Sequence, residues 1–127
     1  MLNDSPDNIA VWATKARKTY YLNPSPNGFY TGSDRVEDYV GLRENYYYWQ
    51  WGDALFVVLD PYWYTRQNPN KENDLWYWTL GEDQYQWLKQ VLESSGSKYK
   101  FVFTHHLTGD VRVILRRWEQ ETRTVFA

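Results

Sequence analysis

Cysteine is absent from these 127 residues. Disulfides and thiolate metal sites are therefore excluded, and a reducing or an oxidising compartment suits the chain equally. Basic charge is not in excess either. Fourteen Lys and Arg face sixteen Asp and Glu for a net charge of −2, with no basic block, so nothing recommends a nucleic-acid partner. No apolar run approaches the roughly 20 residues that span a bilayer, so no membrane partner is expected. The opening Met-Leu-Asn-Asp-Ser-Pro has neither the basic nor the apolar region of a signal peptide. An exported (periplasmic or secreted) parent would carry its signal upstream, and the localisation stays open. Gly-rich phosphate loops and G-x-S-x-G are missing, which leaves serine-nucleophile and P-loop chemistry unsupported. Histidine is scarce: the chain has two, His105 and His106, side by side. There is no internal repeat and no low-complexity tract.

Aromatic residues are abundant, at 20% of the chain, within a hydrophobic share of 43%. The length suits one domain, and the apolar content is enough for a core. Ser5, Pro6 and Asp7 predict a helix start, with Ser5 as the cap. Ile9, Trp12, Ala13, Ala16 and Tyr20 follow at helical spacing as its apolar stripe. Prolines and glycine over 23–28 end that helix, and 29–45 read as largely irregular. Residues 46–51 and 54–59 flank Gly52 and Asp53 as the arms of a β-hairpin. The second arm, ALFVVL, does not alternate and reads as a strand buried on both faces. Residues 62–78 read as a long loop. Thr79 and Glu82 form a capping-box pattern for a helix over 81–93, with Tyr85, Leu88, Val91 and Leu92 as its stripe. Residues 99–104 read as another strand, and 107–127 have no firm reading.

Strand, helix and strand over 54–104 make a β-α-β unit with parallel strands, so both strands end at one edge of the sheet. Ligands of open α/β sheets bind beyond that edge. Asp60 follows one strand there, and His105 and His106 follow the other. An imidazole at a strand end suits a divalent metal, and because side chains alternate in direction, one of the pair reaches a given ion. A histidine pair that packs beneath a loop is the competing reading. Asp60 is either a ligand or an outer-sphere partner of an imidazole, or a turn residue whose carboxylate accepts local backbone N–H groups before Pro61. The aromatic clusters carry two readings as well. Trp49 and Trp51 are expected to bury against helices, while the loop clusters containing Tyr62, Trp63 and Trp76 either pack on each other or form a stacking platform.

The run NYYYWQWGDALFVVLDPYWYT followed by WTLGEDQYQWLKQVLESSGSKYKFVFTHH resembles the calcineurin-like metallophosphoesterase superfamily, in particular bacterial members related to purple acid and alkaline-phosphatase-like enzymes. The likeness covers about residues 9–109 and fades over 110–127. It implies an α/β fold: part of a metallophosphoesterase sandwich, with the hairpin and the β-α-β unit in a mixed sheet flanked by helices. It also implies a dinuclear centre of Fe, Mn, Zn or Ni that hydrolyses a small phosphate ester. Of the family's ligand motifs, the lone histidine matches His105. His106 and Asp60 are outer-sphere candidates, and Tyr62, Trp63 and Trp76 are substrate-loop candidates. D-x-H and G-N-H-[DE] are expected upstream of Met1, and G-x-H downstream. The resemblance thus implies a partial C-terminal portion that is inactive alone. An aromatic-rich carbohydrate-binding or protein-interaction module is the alternative, and the oligomeric state is open.

Overall fold

The computed structural model describes residues 5–63, 76 and 79–105, and everything below concerns these. In chain order the elements are α1 (Ile9–Tyr20), β1 (Thr31–Gly32), β2 (Val36–Glu37), β3 (Gly41–Leu42), β4 (Tyr47–Trp51), β5 (Ala54–Leu59), α2 (Glu82–Ser94) and β6 (Tyr99–Thr104). Four strands form a mixed sheet in the order β1-β4-β5-β6, and β2 and β3 pair separately. The fold is therefore mixed α/β, as expected. The loop residues 64–75, 77 and 78, His106, and the whole of 107–127 lie outside the described residues.

The hairpin forms where the sequence places it. Trp51 pairs with Ala54, and Gly52 occupies the first turn position with φ of 54°. A type II′ turn requires that left-handed value there, and glycine adopts it without a Cβ clash. β5 then returns through α2 to β6 in parallel register, Phe56 beside Phe101 and Leu59 beside Thr104.

Both helix starts differ from expectation. Asn8 caps α1, its Oδ1 accepting from Ala10 N at 2.9 Å, while Ser5 Oγ closes a local turn by accepting from Asp7 N. At α2 the cap is Gly81, with no side-chain cap bond. Thr79 Oγ1 instead donates to Trp76 O at 2.7 Å and accepts from Gly81 N, so its hydroxyl is spent one turn early.

The α1 stripe is inverted. Ala10, Val11 and Thr14 face inward, whereas Ile9, Trp12 and Tyr20 are exposed, Trp12 by 63%. The physical reason lies in what α1 packs on. Arg17 Nη2 donates to Arg43 O, and Lys18 Nζ donates to Val40 O and Leu42 O. The helix thus covers β3 and its flanking residues, whose carbonyls at Val40, Leu42 and Arg43 take these donors, so its inner face turns polar toward the C-terminus.

The core lies between α2 and one face of the sheet. Leu55, Val57 and Leu59 meet Leu80 and Val91, bordered by Tyr48, Trp87, Leu88 and Leu92. The α2 stripe matches the sequence reading. β5, read as buried on both faces, is covered on one: burial alternates along it, with Ala54, Phe56 and Val58 only half-buried. On that second face lie Tyr47, Trp49 and Trp51 of β4, and Tyr99, Phe101 and Phe103 of β6, in register. Trp49 stacks on Phe56 at 5.0 Å and Phe56 on Phe101 at 5.3 Å. Trp51 is 73% exposed. The expectation that Trp49 and Trp51 bury against helices therefore fails: the two rings point to the face opposite α2 and pack, where they pack at all, on other sheet aromatics.

Candidate functional site

At the exit of β5, Asp60 is gripped from three sides. Gln84, 2% exposed, binds the Asp60 backbone twice: its Oε1 accepts from Asp60 N at 2.8 Å and its Nε2 donates to Asp60 O at 2.7 Å. This side-chain amide continues the β-ladder with one more rung and ties the first turn of α2 to the strand end. The carboxylate is occupied as well. Oδ2 accepts from Asn45 Nδ2 at 2.6 Å and lies 3.8 Å from Arg17 Nη1, while Oδ1 accepts from Tyr62 N at 2.8 Å. Accepting from the N–H two residues on is the turn chemistry that the local sequence allowed.

The parallel register then sets His105 beside Asp60, because Leu59 and Thr104 are partners. His105 is exposed. Both residues line one cleft of about 290 Å³, together with Arg17, Asn23, Glu44, Asn45, Tyr47 and Tyr62. Arg17 is held below the usual arginine range, first by burial and then by Arg43, against the attraction of Asp60, Glu44 and Tyr47. It stays charged at neutral pH. The Tyr47 phenol is raised, chiefly by burial and next by Tyr30, with Arg17 opposing.

The aromatic candidates divide. Tyr62 is exposed and lines the cleft. Trp63 is 3% exposed beneath the Arg43 guanidinium, 4.9 Å from its ring centre, so its ring is a packing element. Trp76 leans on Tyr85 at 5.4 Å. His106 lies outside the described residues. Sequence reasoning missed Arg17, Asn45 and Gln84. No local pattern marks them, since each acts on Asp60 from 15 to 43 positions away.

One imidazole is fewer donors than a dinuclear centre takes, and no group of three His, Cys, Asp or Glu arranged for a metal occurs among the described residues. By themselves the described residues do not fit such a centre. No family model matches the chain, and no curated protein or solved structure is significantly similar to it.

Proposed function

We propose that the protein is a portion of a metal-dependent phosphoesterase of calcineurin-like type. In this reading His105 contributes one ligand to a divalent-metal centre whose other ligands the described residues do not supply. The cleft beside it seats a small phosphate ester, and the chain alone is inactive or nearly so. The observation that supports this best is the side-by-side exit of β5 and β6, by which an exposed imidazole and Asp60 share one cleft. The half-covered aromatic face of the sheet supports the finer fold reading, since a sandwich has a second sheet against such a face.

Asp60 holds the cleft rather than reacting, because its oxygens are committed to Asn45, Arg17 and the Tyr62 backbone. The test is to incubate purified chain with Mn²⁺ and a chromogenic phosphate ester while following Mn²⁺-induced broadening of the Thr104 and Asp60 amide resonances. Expected are no turnover above blank and broadening that disappears in His105→Ala. Broadening indifferent to that substitution overturns the metal reading. Turnover that His105→Ala abolishes overturns the claim of inactivity.

A further inference from the structure

The cleft at the exit of β5 is walled mostly by carbon, although many of the residues around it are polar. Tyr47 and Val58 are cross-strand partners, so their side chains rise next to each other from one face of the sheet. Both line the cleft together with Pro61 and Tyr62. The polar heads are spent on each other or on nearby backbone. Arg17 Nη1 faces Asp60 Oδ2 at 3.8 Å, and its Nη2 donates to Arg43 O. Glu44 Oε1 lies 3.5 Å from Lys18 Nζ. Asn45 Nδ2 donates to Asp60 Oδ2, and Asn23 Nδ2 donates to Tyr21 O. Among the described residues, each carboxylate and guanidinium that lines the cleft thus faces an opposite charge.

That balance decides what the cleft takes. A phosphate dianion placed inside it would meet Asp60 and Glu44 along with Arg17, so no net positive charge awaits it. A sugar or other polyol needs donors and acceptors for its hydroxyls, and most of those here are engaged; hydroxyls buried without partners are costly. An apolar group meets neither obstacle and gains by leaving water. Burial raises the Tyr47 phenol, so Tyr47 keeps its proton at neutral pH and adds no charge to the wall. At about 290 Å³ the cleft is at the small end of ligand sites, with space for one ring or a short chain.

We propose that this cleft takes the alcohol part of a phosphate ester, and that this alcohol is apolar: an aryl or short alkyl group lying against Tyr47, Val58 and Tyr62. The inference deepens the phosphoesterase reading and rests on it for the phosphate end, which lies toward His105. The apolar contact itself depends on no metal. Tyr47, Val58 and Tyr62 are then specificity residues, and phosphate esters of sugars or glycerol are poor ligands.

The experiment titrates the chain with phenol, phenyl phosphate, glycerol 3-phosphate and inorganic phosphate, following the Val58 methyl and Tyr62 amide resonances by NMR. Without Mn²⁺, saturable shifts of both are expected with phenol and phenyl phosphate, and none with the other two. Mn²⁺ then tightens phenyl phosphate but not phenol, and His105→Ala cancels that gain. Val58→Thr, which puts a hydroxyl in the wall, weakens phenol binding about fivefold. Tyr62→Ala, which keeps the backbone N–H to Asp60, weakens it as well. Two variants that bind phenol as the wild type does overturn the proposal, as do glycerol 3-phosphate shifts that match those of phenyl phosphate without Mn²⁺. So does a wild-type chain that neither phenol nor phenyl phosphate moves; if Mn²⁺ still broadens Thr104 there, the metal reading survives alone. Phenol and phenyl phosphate that bind equally with and without Mn²⁺ uphold the apolar cleft and remove the phosphoesterase reading, so the two failures are distinguishable.

Discussion

At the exit of β5 a single aspartate is shared among an asparagine, an arginine and a backbone amide, and in the same cleft the Tyr47 phenol is shifted from its ordinary titration range. Tyr47 holds its proton more tightly than a free phenol, first because of burial and second because of Tyr30. The folded pKa therefore exceeds the unfolded value of about 10. Below that pH the stabilisation is complete. As pH rises through the window between the unfolded and folded values, the unfolded chain loses its proton first and stability falls. Urea denaturation across the alkaline range should show this decline, and Tyr47→Phe should flatten it. An unchanged slope in the variant would assign the alkaline loss to another phenol.

Between elements, Gln84 is the link to test. Its amide joins α2 to the backbone of Asp60, so Gln84→Ala strands an N–H and a C=O in a buried place. A loss of about 2–3 kcal/mol by urea denaturation is expected, and the cleft resonances of Tyr62 and Asn45 should shift together. A loss below about 1 kcal/mol would mean that water replaces the amide without penalty. The same residue explains what a sequence can and cannot reveal here. The hairpin, the α2 stripe and the parallel β5–β6 pair were legible because each rests on local spacing: Gly52 between two arms, Tyr85 to Leu92 on one helix face, and a helix between two apolar strands. The α1 stripe was misread because its inner face ends in Arg17 and Lys18, whose reason for facing inward is the set of carbonyls at 40–43. Asn45 and Gln84 carry no signal at all until the fold brings them to Asp60. The metal reading of His105 came from its resemblance to a family motif and its position after a strand, and the geometry adds a shared cleft to that position.

At the scale of the whole sheet, two apolar faces are present, and among the described residues α2 covers one. β6 is exposed along its entire length, with Phe103 at 50%, and among the described residues it is the last strand on its side of the sheet. Exposed apolar edges pair with other chains, and an aromatic face of this extent adds to the tendency. Sedimentation velocity of the purified chain should therefore show concentration-dependent association, reduced when Phe101 and Phe103 are replaced by Lys and Glu. A monodisperse wild-type monomer with one sharp thermal transition would contradict this.

The row Trp49, Phe56, Phe101 also sets a trap for anyone improving the recombinant yield of this protein. Substitutions that make those rings hydrophilic would be rewarded in a screen for soluble expression. The same changes would spoil any state in which that face is sealed from water. A variant chosen for good behaviour in the test tube could thus be the one least able to assemble, and yield and competence should be scored separately at these three positions.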